Sequence, residues 1–121
     1  QLTPALLDDQ PLVCLLPGHG TTMPIARAFE AAGAHANVVA ECEFYATALN
    51  LVLHGAGICL SDPISAAQAA QGRPDLVVRP FLPIIPYEVG VLRPSRGGTS
   101  RLAEQFIEAL DRFVLPHLGA R

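Results

Sequence analysis

Two apolar rhythms alternate along this chain. Leu12 to Leu16 is an unbroken apolar run, as expected of a strand covered on both faces. Ile25, Ala28, Phe29 and Ala32 instead recur at i, i+3, i+4, i+7, the spacing of one buried helix face. Extended over the first 79 residues, the pattern predicts a short helix at Ala5 to Asp8, opened by Thr3 and Pro4, and a strand at Leu12 to Leu16. A loop follows from Pro17 to Thr22, then a helix at Met23 to Ala32 that Gly33 ends, with Pro24 tolerated in its first turn. Next come a strand at Asn37 to Cys42 and a helix at Phe44 to His54, with Ala48, Leu49, Val52 and Leu53 as its core face. A strand at Gly57 to Leu60, a small-residue helix at Ile64 to Ala70 and a strand at Leu76 to Val78 complete the run. Between helix and strand, Gly55 and Gly57 suit a left-handed helix end and a close approach of helix and strand backbones. The βαβαβαβ order predicts an α/β fold: a mostly parallel sheet with helices on both faces.

The character then changes. Pro80, Pro83 and Pro86 fall within seven residues, which prevents helix and favours an extended connector. Tyr87 to Leu92 reads as a strand, Pro94 to Gly98 as a turn, and Thr99 or Ser100 as the cap of the longest helix, Arg101 to Leu115. Leu102, Phe106, Ile107, Leu110, Phe113 and Val114 form its apolar stripe, which needs a partner surface. The proline-rich crossover before it suggests that the helix packs on a different lobe from the first 79 residues.

A length of 121 residues supports one modest domain or a piece of a larger one. Half the residues are hydrophobic and 16% are charged, enough apolar content for a real core. A net charge of −3 and a pI near 5.7 argue against a grip on nucleic-acid phosphates by this segment. No apolar run approaches the roughly 18 to 20 residues of a membrane span, and no basic segment followed by an apolar core marks a signal peptide. The first residue is Gln1 rather than Met, so upstream sequence is expected. Cys14, Cys42 and Cys59 sit in apolar, strand-like surroundings and read as buried free thiols of a reducing compartment. No CxxC pair is present.

Four ordered pieces carry a resemblance. Leu2 to Val13 resembles a short helix and the strand after it, and Ala28 to Gly33 a helix end. Glu41 to Pro63 resembles a glutamate-led helix, glycine turn and strand exit. Leu76 to Phe81, Val91 to Pro94 and Phe106 to Leu110 complete the set. Together they resemble the effector-binding region of LysR-type transcriptional regulators. That resemblance implies a type II periplasmic-binding-protein-like fold, two α/β lobes with a small effector in the cleft between them. On this mapping residues 1–79 are regulatory subdomain II, and residues 80–121 are the crossover strand and C-terminal helix returning to subdomain I. The rest of that lobe and the DNA-binding winged helix are absent, so DNA is reached only through the missing N-terminal domain. Two departures stand out: Cys42 follows Glu41 where the family commonly has threonine, and His54 replaces a small residue.

Candidate site residues each carry two readings. Gly20, Thr21 and Thr22 lie where a helix begins; the free N–H groups and positive dipole end there favour an effector carboxylate, or form a capping loop. Glu43, Phe44 and Tyr45 combine a carboxylate with two aromatic rings, able to clamp an amino group, or serve as helix-start charge and staple. Asp62, beside Ser61, either caps the helix opened by Pro63 or meets ligand. His19, His35, His54 and His117 show no metal-type spacing, and Arg79 could steady the hinge by pairing with a carboxylate. The exit Ser61-Asp62-Pro63 most resembles members that sense amino acids or opines.

The resulting expectation is a cytoplasmic, non-enzymatic ligand sensor that needs no cofactor or metal. It binds a small-molecule effector, has no membrane association, and self-associates into a dimer or higher oligomer. The alternatives are a small α/β enzyme using a cysteine or histidine, and an extracytoplasmic solute-binding protein.

Overall fold

A computed structural model describes residues 1–86, 88 and 90–117. The chain divides into two compact units, Gln1–Tyr87 and Glu88–Arg121.

The first unit is built around β1 (Pro11–Leu15). It pairs in parallel with β2 (Asn37–Cys42), from Pro11 opposite Asn37 to Leu15 opposite Cys42. Between them runs α1 (Thr22–Ala31), the crossover that a parallel pair requires. Alternate β1 residues enter different cores. Leu12 packs with Leu7 and, from α1, Phe29. Val13 packs with Cys42 and Ala48, the latter on α2 (Tyr45–Leu53). Helices therefore cover both faces of β1, which is why the segment reads as continuously apolar. The register slips by one residue between Leu12 and Val13, with Val39 bulged on β2. The bulge leaves Val38 and Val39, consecutive in sequence, both exposed while Ala40 and Cys42 still reach the core, the local change of register that a bulge allows.

α2 closes as its glycines predict. Ala56 N–H donates to Leu51 C=O at 3.0 Å and Gly55 N–H to Val52 C=O at 2.9 Å, with Gly55 at φ +81°, a Schellman end that favours glycine. Gly57 does something different from the helix–strand approach expected of it. A Cβ there would fall on the carbonyl oxygen of Pro11, so it lets the chain press against β1 itself.

Several predicted elements are corrected. The opening helix is a 3-10 turn at Pro4–Leu7, and Thr3 accepts its first bonds through the carbonyl oxygen, its hydroxyl making no cap. Phe44 precedes α2 as its N-cap, and Leu16 lies outside β1. The strand expected at Gly57 to Leu60 is one parallel bridge, Leu12 to Ile58. Ile58 spends both backbone groups on β1, donating to Pro11 C=O and accepting from Val13 N–H, each at 2.8 Å, and among the described residues no second strand pairs with its outer side. Leu76 to Val78 forms no ladder; the Leu76 N–H turns back to Arg73 C=O at 3.2 Å. The connector after it does pair, through a parallel bridge between Leu2 and Phe81. α3 (Pro63–Ala70) follows the bridge segment and contacts α2.

Of the strand expected at Tyr87 to Leu92, Tyr87 and Val89 lie outside the described residues, and the others form no ladder with any described residue; the second unit begins at Glu88. Its main element is α4 (Arg101–Val114), followed by a 3-10 turn at Leu115–His117. Ser100 Oγ accepts the Ala103 N–H at 3.2 Å. Glu104 in the first turn and Arg112 in the last complement the helix dipole. Leu102, Phe106 and Phe113 remain exposed along the helix.

Candidate functional site

The first unit contains a cavity of about 630 Å3, within the range of small-molecule sites. Its body is apolar, formed by residues such as Ile58, Leu60, Leu49 and Val77, and its polar groups are few: Thr21, Tyr45, Ser61, Asp62, Asp75 and Arg79. Thr21, Tyr45 and Asp62 follow the ends of β1, β2 and the Ile58 bridge segment. They thus occupy the carboxyl edge of the parallel strands, where α/β sheets bind ligands.

Thr21 is the N-cap residue of α1 but makes no side-chain cap. Its hydroxyl shares a hydrogen bond of 2.8 Å with the Tyr45 phenol, at the first position of α2. His19 joins them, with Nδ1 3.3 Å from Thr21 Oγ1 and its ring edge-on to Tyr45 at 5.8 Å. The three side chains link the loop after β1 to the start of α2. Thr22 faces elsewhere, its hydroxyl donating to the carbonyls of Leu16 at 3.2 Å and Leu15 at 3.4 Å. It lines a neighbouring cavity of about 80 Å3.

Asp62 caps α3. Its Oδ1 accepts the N–H groups of Ile64 at 3.0 Å and Ser65 at 2.9 Å, two of the donors a helix start leaves open. It is 5% exposed. Beside it, burial pushes the Cys59 thiol up to about 12, with Cys14, Cys42 and Asp62 adding to the shift. Burial, then Glu41, also raises the Cys14 thiol. All three cysteines are unpaired; Cys42 is buried, Cys14 and Cys59 half-buried.

Of the seven residues singled out in the sequence, Thr21, Tyr45 and Asp62 line the large cavity, and Thr22 lines the small one. Gly20, Glu43 and Phe44 are exposed and line neither. Phe44 is 64% exposed, because the N-cap position turns its ring outward, while its carbonyl accepts from Thr47 and Ala48 at 3.1 Å. Arg79 makes no ion pair among the described residues; its guanidinium donates to the Val78 carbonyl at 3.2 Å, and the residue lines the cavity. Sequence reasoning missed His19 as a partner of Thr21 and the wall from Leu76 to Phe81. The one signal for His19 was its place two residues before Thr21 in the same loop.

The family model described as LysR substrate binding domain matches residues 1–114. The chain is 28% identical over 104 residues to "Regulatory protein NocR" of Agrobacterium tumefaciens (strain T37). The same figures hold for "Regulatory protein NocR" of Agrobacterium fabrum (strain C58 / ATCC 33970). The match covers 86% of this chain and 34% of each relative, so it spans about a third of their length.

Proposed function

Since this chain belongs to the LysR substrate-binding-domain family, we propose that it is the effector-sensing part of a transcriptional regulator and has no catalytic activity. The observation that carries this reading is the union of the Thr21–Tyr45 hydroxyl pair and Asp62 on one apolar cavity at the carboxyl edge of the strands. Nothing about that arrangement resembles bond-making machinery. Cys59, the one thiol on the cavity wall, is pushed up to about 12, which leaves almost no thiolate near neutral pH.

The same proposal assigns residues 1–79 to the second regulatory subdomain and residues 80–121 to the return toward the first. The effector is a small molecule of the amino-acid or opine type, in keeping with the Ser61-Asp62-Pro63 exit. Its contacts are drawn from Thr21, Tyr45 and Asp62, with Gly20, Thr22, Glu43 and Phe44 in the loops around them. In a complete regulator, effector binding would be coupled to DNA binding by a separate domain, in a cytoplasmic dimer or higher oligomer; such coupling is typically about 1–3 kcal/mol.

The test is a thermal-shift screen of the intact regulator, with the 121-residue chain alongside, against amino acids, opines and aromatic acids. One compound class should raise the melting temperature in proportion to the logarithm of its concentration, and Tyr45→Phe should weaken the shift. A rapidly alkylated cysteine together with no stabilising compound would favour the enzyme alternative.

A further inference from the structure

Asp62 is the only buried polar or charged residue among the described residues, and only half of its carboxylate is used. Oδ1 takes both capping hydrogen bonds. Oδ2 receives none from any described residue, and Asp62 makes no ion pair with any of them. Yet no buried side-chain oxygen among the described residues is both sealed from solvent and unpaired, so Oδ2 keeps accessible surface, and the space that Asp62 borders is the large cavity. Capping does not require this. Asparagine and serine cap a helix about as well as aspartate, whereas a carboxylate held in apolar surroundings with an open lone pair is costly unless something pairs with it.

The wall around it defines that partner. Ile58, Leu60 and Val77 give an apolar body. Among the described residues, the charged ones that line the cavity are Asp62, Asp75 and Arg79, two carboxylates against one guanidinium. Asp75 and Arg79 are exposed, and Asp62 alone is buried. The fixed charge away from bulk water is therefore negative, and an N–H donor carrying positive charge meets it with a short, charge-assisted bond.

We propose that Asp62 Oδ2 is the anchor for a cationic head group, a guanidinium, amidinium or primary ammonium, on a ligand whose apolar stem lies along Ile58, Leu60 and Val77. This rests on the reading of the cavity as the effector site and names the chemical class that the site selects.

The experiment titrates the 15N-labelled chain by NMR with n-butylguanidinium and, separately, with n-butylurea, which has nearly the same shape and no charge. Butylguanidinium should shift the Ile64 and Ser65 amides saturably, and butylurea should bind at least about tenfold more weakly, as expected for loss of a hydrogen bond to a charged group. Asp62→Asn retains the cap and removes the charge; it should melt close to the parent and bind both probes equally weakly. Asp62→Ser, a second capping side chain, should behave the same and covers the case in which the asparagine variant misfolds. Equal affinity of the unsubstituted chain for the two probes, undiminished butylguanidinium binding by a folded variant, or no perturbation by butylguanidinium into the high millimolar range would each overturn the proposal. A cavity that ignores butylguanidinium but takes alkyl carboxylates or neutral aromatic compounds overturns the cationic class and keeps the sensor reading. Failure of every class to perturb cavity residues removes both.

Discussion

Thr21 Oγ1 and the Tyr45 phenol oxygen lie 2.8 Å apart, a hydrogen bond across 24 residues of sequence that fixes the start of α1 against the start of α2. Both residues are only partly buried and both border the cavity. One interaction therefore shapes the fold and the ligand-facing wall together.

Tyr45→Phe keeps the ring beside His19 and deletes the hydroxyl. It should lower stability by about 0.5–1.5 kcal/mol in urea unfolding with an unchanged m-value. Thr21→Val removes the other partner. The two effects should combine less than additively, because each change already breaks the shared bond. Simple additivity in this double-mutant cycle would show that the bond contributes nothing in solution.

Gly57 and Gly55 differ in what surrounds them, although the sequence presents them as neighbours of one motif. Gly55 is left-handed with open space where a Cβ would stand, whereas at Gly57 a Cβ meets the Pro11 carbonyl. Gly55→Ala should cost roughly 1 kcal/mol of backbone strain. Gly57→Ala must also push β1 aside and should cost on the order of 3 kcal/mol. Thermal melts of the two variants check the order, and a smaller loss at Gly57 would contradict the close approach.

The success and failure of sequence reading follow from what each element depends on. β2, α2 and α4 are within a residue or so of their expected bounds because apolar spacing, Gly55 and Ser100 are local signals. The segments at Gly57 to Leu60 and Leu76 to Val78 have strand-like composition but depend on a neighbour to complete a ladder, and composition does not say whether that neighbour is there. At the site, Asp62 was legible because an acid before Pro63 is a strong cap signal, and its side chain does cap α3. Phe44 and Tyr45 were not separable. They adjoin in sequence, but Phe44 is the extended N-cap residue and Tyr45 the first helical one, so one ring points to solvent and the other to the cavity.

α4 carries Leu102, Phe106 and Phe113 with 76%, 66% and 54% of their surface exposed, large apolar side chains of the kind that drive association where they cluster. Leu102→Lys combined with Phe106→Lys should lower the weight-average mass in sedimentation equilibrium and leave the far-UV circular dichroism unchanged. If the double variant associates as strongly as the parent, the self-association expected of this chain uses another surface.

Alkaline pH isolates the thiols, since every one of the eight basic residues is arginine and only two tyrosines accompany the three cysteines. Cys59 has an ordinary value of 9.0 that burial, then Cys14, Cys42 and Asp62, push up to about 12 in the folded chain. Folding therefore favours the neutral thiol. Below pH 9 the thiol is protonated in both states, so its contribution to stability is fully present. Above pH 9 the unfolded chain loses its proton first, and stability falls as pH rises toward about 12. Cys14 is raised by burial and Glu41 and acts in the same direction, so Cys59→Ala should flatten the decline without abolishing it. Urea unfolding at intervals from pH 7 to pH 10.5 measures the slope. Alkylation near pH 7.5, located by peptide mass, measures the same property independently: Cys59 should react far more slowly in the folded chain than in the denatured one. Fast alkylation of folded Cys59, or a stability that does not change between pH 9 and 10.5, would mean that the thiol is not held in the apolar wall, and would reopen the case for a nucleophilic cysteine.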